Sequence, residues 1–200
     1  MRATELLRER VRRQRFTPGD RARENDGVPF PPIRTSRLLM RPMTPGDAAV
    51  FAAYRDDPET ARYQDWDLPY SVDDALRMIG RQDADGWPVP GEWIQLAIEH
   101  DGSLVGDVAV RVAEDGASAQ IGYTLSPTSR GQGFATEAVS AVLERLRGTG
   151  ISTYRASVDP ANAGSIRLLD RLGFSYLGRT ERSALVRGEW VDDDHYELTY

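Results

Sequence analysis

Apolar positions recur along this chain with two different periods, and each change of period marks the boundary of an element. Between residues 93 and 125 the period is two. WIQLAIEH (93–100), LVGDVAVRV (104–112) and SAQIGYTL (118–125) read as strands, the last with Ile121, Tyr123 and Leu125 on one face. Asp101-Gly102 and Asp115-Gly116 separate them, and such pairs close tight antiparallel turns, so the three predict a meander. From residue 135 the period becomes helical: Ala135, Ala138, Val139, Val142, Leu143 and Leu146 fall on one stripe. A strand TYRASV (153–158), a short helix SIRLLDRL (165–172) and a hairpin of YLGRTERSALV (176–186) with WVDDDHYELTY (190–200) complete the C-terminal half.

The N-terminal half is punctuated by caps. A strand near Ser36 to Arg41 precedes Thr44-Pro45-Gly46-Asp47, an N-cap with proline at the first helical position, and that helix is expected to reach about Arg55. Ser71 and Asp74 form a capping box for a second helix, whose buried side is expected to be Ala75, Leu76, Met78 and Ile79. Strand, two helices, three strands, helix, strand, helix and two strands make a mixed α/β (α+β) single domain.

Composition adds limits. Two hundred residues with 40% hydrophobic content suffice for one core without staples. Cysteine is absent, which removes disulfides, thiolate metal sites and a cysteine acyl-enzyme together. With no apolar run of membrane length and no signal-like start, the protein is expected in the cytoplasm and away from membranes. All 25 basic side chains are arginine, and eight of them fall in residues 1–23 against Glu5, Glu9 and Asp20, a local balance of +5 within a total of −6. Residues 1–32 therefore read as a basic arm and Pro/Gly linker, and residues 33–200 as the domain. Residues 24–200 then carry −11 (−6 less +5), which does not favour nucleic acid and suits amines.

SPTSRGQGFATEA (126–138) puts a proline, an arginine and two glycines directly before a helix. A helix N-terminus presents unpaired N–H groups and partial positive charge, and glycines let those groups converge on an anion. The other reading is a loop whose glycines only relieve backbone strain. A Walker loop is excluded because the chain has no lysine. A dinucleotide fingerprint is excluded by Thr136 at the position that needs Gly or Ala, and by the hairpins.

Arg130-Gly131-Gln132-Gly133-Phe134-Ala135 resembles the pyrophosphate loop of the GNAT superfamily of acyl-CoA-dependent N-acyltransferases. NAGSIRLLDRLGF resembles that family's Asn-x-x-Ser…Leu-Gly-Phe segment through Asn162, Ser165, Gly173 and Phe174, and IGYTLSP with RGQGFATEA resembles the RimJ/RimL-like branch. The resemblance covers about residues 33–200 and leaves the arm outside. It implies a mostly antiparallel twisted sheet flanked by helices, with acetyl-CoA as the acetyl donor. Main chain from Arg130 to Thr136 (Gly131, Gln132, Gly133, Phe134 and Ala135 between them) would hold the CoA pyrophosphate. Leu125 main chain would pair with the pantetheine, and Asn162 and Ser165 would lie beside the pantetheine arm and thiol. Asn162 reads equally as a helix cap, and Gly173 as a helix stop.

Tyr63, Trp66 and Tyr70 are either core or the lining of the amine-acceptor pocket, and the resemblance favours the pocket. Asp192 to His195 do not suggest a metal, because a strand turns alternate residues to opposite faces. His100 abuts a hairpin turn and reads as solvated. Ser165 is the expected donor to the departing thiolate, and Gly122 is expected to mark a distortion beside the oxyanion. Several relatives carry a tyrosine where Leu169 stands and a glutamate where Ser157 stands, so the general base is not identified; Glu181 and Asp107, acting through water, are the candidates. The sequence thus predicts direct acetyl transfer to a primary amine, either a protein α-amino terminus or a small molecule, with a homodimer left open. The alternative is a catalytically degenerate CoA-binding module acting through a partner.

Overall fold

The computed structural model describes residues 31–82 and 89–200, so all but the last two residues of the expected arm lie outside it. The strands are β1 (Ile33–Arg34), β2 (Leu39–Pro42), β3 (Trp93–His100), β4 (Ser103–Val112), β5 (Ser118–Leu125), β6 (Thr153–Val158), β7 (Ser175–Val186) and β8 (Glu189–Thr199). The helices are α1 (Ala48–Arg55), α2 (Pro58–Ala61), α3 (Val72–Ile79), α4 (Phe134–Arg147) and α5 (Ala163–Arg171). One sheet of eight strands runs in the order β1-β2-β3-β4-β5-β6-β8-β7. Its neighbours pair antiparallel, with β5 and β6 parallel.

The period of two decides what covers each face. Leu96, Ile98, Val108, Val110 and Ile121 turn to one side and meet Ala138, Val139, Val142 and Leu143 of α4. Burying each such Leu, Ile or Val stabilises the fold by about 1.5–3 kcal/mol. Ala97, between Leu96 and Ile98, turns to the other side and packs with Phe51, Ala52 and Tyr54 of α1 and with Ala75 and Ile79 of α3. The sheet is therefore covered on both faces.

Several elements differ from expectation. The strand expected near Ser36 to Arg41 is β2 and begins only at Leu39, after a short β1 that the sequence did not show, because Thr35–Leu38 turns, with Thr35 N–H and Oγ1 both directed at the Leu38 carbonyl and Oγ1 also 2.5 Å from Glu137. α2 was not foreseen; Asp57 caps it by accepting from Thr60 N–H at 2.7 Å. Leu76 is exposed rather than buried, because Ala75 and Ile79 at i and i+4 define the inner face of a two-turn helix and Leu76 lies a further 100° round. Gly122 marks no distortion: β4 and β5 pair without interruption from Val112↔Ala119 to Gly106↔Leu125. The irregularity lies one strand away, where the β3–β4 register shifts after Ile98 and leaves Val105 bulged. Gly106 follows it, and a Cβ there would strike the Thr124 carbonyl.

Candidate active site

β5 and β6 run together only over Ser118↔Thr153, Ala119↔Tyr154 and Gln120↔Arg155. Beyond that point β5 stays with β4 through Leu125, while β6 stays with β8 through Val158. The two strands therefore part, and the facing edges of Ile121–Leu125 and Ala156–Val158 do not pair with each other. Unpaired backbone N–H and C=O groups along such an edge need partners, and an extended chain of amides can supply them.

At the mouth of the split stands the glycine turn. Pro127–Ser129 forms a 3-10 turn, Gly131 and Gly133 adopt φ of 76° and 81°, and α4 starts at Phe134. The first backbone bond at that end, Glu137 N–H to Gly133 O at 3.1 Å, leaves the N–H groups of the preceding turn without intrahelical partners. Gly131, Gln132 and Gly133 are exposed, and a Cβ on Gly131 would meet nothing within 4 Å. This is an open cradle for an anion.

Two arginines that carried no sequence signal flank the cradle. Arg37 donates to the Gln132 carbonyl at 3.0 Å, pairs with Glu137 and lies 4.8 Å over the Phe134 ring. The Thr35 hydroxyl, ahead of Arg37, holds the Glu137 carboxyl below its ordinary range. Arg171 approaches Thr136 Oγ1 at 3.4 Å. His100 is not merely solvated: its Nδ1 donates to the Arg37 carbonyl at 3.0 Å and its ring lies 4.6 Å from Phe134. The Arg130 side chain turns away from the cradle and bridges Leu125 O to Thr60 Oγ1.

The opposite wall is the N-terminus of α5. Asn162 Oδ1 accepts from Ser165 N–H at 3.1 Å, so the capping role exists in the fold. Gly173, at φ 85°, follows the helix. Tyr123 reaches across from β5 and donates to the Ser165 carbonyl at 3.3 Å, tying the two sides of the split together; burial pushes its phenol up to about 12. Leu169 is buried in the core.

On the α1 face lies a polar cluster. Tyr54 Oη donates to Asp107 Oδ1 at 2.6 Å, and Arg55 Nη2 stands 3.6 Å from Asp107 Oδ2. The Arg55 guanidinium lies 4.2 Å from both the Phe51 and Trp66 rings and 5.4 Å from Tyr70. Burial raises the Asp107 and Tyr54 pKa values, and with both oxygens engaged beneath α1, Asp107 is poorly placed as a water-linked base. Trp66 and Tyr70 come together at 6.3 Å, whereas Tyr63 packs on Arg62. Arg187, in the β7–β8 turn, donates to the carbonyls of Ala61, Gln64 and Trp66 and fastens this segment beside the hairpin.

The glycine turn before a helix is the element that the sequence motifs called for, and the structure sets it beside two parallel strands that part, which the sequence did not show. The family model for the acetyltransferase (GNAT) domain matches residues 37–175. The chain belongs to the GNAT acetyltransferases. Among GNAT relatives, the uncharacterized N-acetyltransferase YoaA of Bacillus subtilis is 31% identical over 84% of this chain and 97% of its own. The L-methionine sulfoximine/L-methionine sulfone acetyltransferase of Pseudomonas aeruginosa is 28% identical over 74% of this chain and 72% of its own. The solved structure of Mycobacterium smegmatis RimJ in complex with CoA-disulfide superposes with a TM-score of 0.70 and 27% identity, covering 81% of each chain. This GNAT chain is accordingly an acyl-CoA-dependent N-acetyltransferase with acetyl-CoA as donor. Among the described residues no helix is long and apolar enough to cross a membrane.

Proposed function

We propose that the enzyme transfers acetyl directly to an α-amino group, on a protein N-terminus or an amino-acid-sized molecule. The observation that carries this reading is the parting of β5 and β6 after Gln120 and Arg155, which leaves the Ile121–Leu125 edge unpaired with β6 beside the glycine cradle. The cradle from Arg130 to Thr136 takes the pyrophosphate, with Arg37 and Arg171 adding positive charge at its sides. The free edge of β5 at Leu125 takes the pantetheine amides, and Ser165 with Asn162 borders the thiol. Acetyl-CoA supplies an activated thioester whose thiol leaves readily near neutral pH. Trp66 and Tyr70, and less directly Tyr63, border the amine.

Amine chemistry favours the α-amino class. At pH 7 a peptide N-terminal α-amino group of pKa about 7.8 is roughly a tenth neutral, whereas a lysine amine at about 10.4 is neutral in fewer than about one molecule in a thousand. The sulfoximine and sulfone acetyltransferase in Pseudomonas is named for acceptors that carry such a group. The test is thiol release from acetyl-CoA against a panel of amino acids, N-terminal peptides and Nα-blocked lysine peptides. Turnover with free α-amines is expected, and none with the blocked lysines. Turnover confined to lysine side chains would overturn the α-amino reading, and no turnover on any amine would favour a CoA-binding module.

A further inference from the structure

The strand that parts from β5 carries on its α1 side a group of side chains that the reading above does not use. Ser157 Oγ lies 3.0 Å from His195 Nδ1, its cross-strand partner on β8, and His195 Nε2 lies 2.8 Å from Thr180 Oγ1 on β7. Tyr154, Ala156 and Val158 turn into the core under α4, so Thr153, Arg155 and Ser157 turn to the opposite face. Across the paired stretch, Gln120 of β5 and Arg155 of β6 share that face, and so do Thr124, further along β5, and its partner Asp107 on β4. Ser157 is therefore exposed at the split, on the face that carries Asp107 and α1, and the β7–β8 hairpin behind it is the one that Arg187 joins to Trp66, one of the residues proposed to border the amine.

We infer that Ser157 and His195 form the proton relay that deprotonates the acceptor amine, with Thr180 orienting the imidazole. This rests on the acetyltransferase reading above. The ammonium of the acceptor gives a proton to Ser157 Oγ while the Ser157 hydroxyl proton passes to His195 Nδ1. The neutral amine nitrogen then bonds the acetyl carbon as the carbon–sulfur bond breaks. The sulfur leaves with the electron pair and takes a proton from Ser165 or water, the second amine proton leaves to water, and His195 returns its proton to solvent. Ser157 is the residue that meets the amine, and His195 acts through it.

The relay requires the neutral tautomer with the proton on Nε2, donated to Thr180, and the lone pair of Nδ1 facing Ser157. Nucleophile-sized hydroxyl, imidazole and orienting third group are also the parts of an acyl-enzyme site, so the test must separate the two. The charged groups around the imidazole are few. Arg155 is paired with Glu197 at 2.9 Å two residues along both strands, Asp194, next to His195, is paired with Arg179 at 2.8 Å, Asp193 is the cross-strand partner of Thr180, and Glu181 follows Thr180 in sequence.

The chain holds two histidines, so a His100→Gln background leaves His195 as the one imidazole for nitrogen-15 NMR. The Nε2–H tautomer is expected without any ligand, and an Nδ1–H tautomer would overturn the relay. In parallel, Ser157→Ala and His195→Gln are compared with the parent in acetyl-CoA turnover of a competent α-amine from pH 6 to 10. Each variant is expected to lose about a hundredfold in kcat near pH 7, with acetyl-CoA affinity kept within about twofold. The double variant should be no slower than either single one, because the two act as a unit. Above the amine's own pKa the variants should converge on the parent, since the amine then arrives neutral. A loss of the same size at every pH, or no loss, sinks the inference while leaving the acetyltransferase reading intact. Acetyl found on Ser157 by intact mass, with acetyl-CoA and no amine, would replace the relay by a covalent enzyme. A parent without turnover on any amine would remove the underlying reading and the relay with it.

Discussion

Under the proposed function, Gly133 is the residue where a single side chain would decide whether the donor can bind. Its φ of 81° lies in the region that β-branched side chains avoid, and an added Cβ would stand 3.4 Å from the Arg37 guanidinium beside the cradle. Gly133→Val is expected to weaken acetyl-CoA binding at least tenfold by calorimetry while the far-ultraviolet circular dichroism is kept. Unchanged affinity in a folded variant would move the pyrophosphate away from the loop. Ser165 differs in kind, because a donor engaged mainly as negative charge develops on sulfur stabilises the transition state more than the ground state. Ser165→Ala should slow turnover by about tenfold to a thousandfold with a much smaller change in acetyl-CoA affinity, read from steady-state kinetics and direct titration. Both residues stand in local motifs and were legible from letters alone. Arg37, Tyr123, Arg55 and His195 were not, because each meets its partner only after strands far apart in sequence are brought together.

Elements were read best where both caps and periodicity were present. Ser71 and Asp74 start α3 as expected, each side chain bonded to the other's backbone. Asn162 gives a test of the same physics on α5: its Oδ1 satisfies the Ser165 N–H, so Asn162→Ala should cost about 1 kcal/mol and Asn162→Asp should restore it. In a domain of this size that is a fall of about 2–4 °C in melting temperature, measured by scanning calorimetry. An alanine variant as stable as the parent would leave Asn162 free for a purely ligand-binding role. α2 leaves no pattern in the sequence because four residues contain no period, and Leu76 lies outside the buried side its spacing suggests because a two-turn helix does not average out its edges.

At the scale of the whole molecule, ion pairs reinforce the pairing of neighbouring strands, and their carboxylates set the response to acid. The Arg179 guanidinium, bonded from β7, holds the Asp194 carboxyl of β8 below its ordinary range. A carboxylate with a depressed folded-state pKa stabilises the protein above its unfolded value of about 3.9, and that stability is lost as pH falls through the folded value. Asp194→Asn should therefore melt lower than the parent at pH 7 and lose less between pH 6 and pH 3. Parallel melting curves across that range would show the pair to be inert. The sequence by itself determined the main order of elements, the α4 stripe and the glycine turn, because periodicity, capping and turn chemistry act over a few residues, and the resemblance of its motifs pointed to the family. Only the tertiary structure decided where β5 and β6 part and which arginines flank the cradle. It also decided that Asp107 is enclosed and that His195 faces Ser157. These follow from strand register and sheet order, which join residues up to a hundred positions apart and leave no local trace.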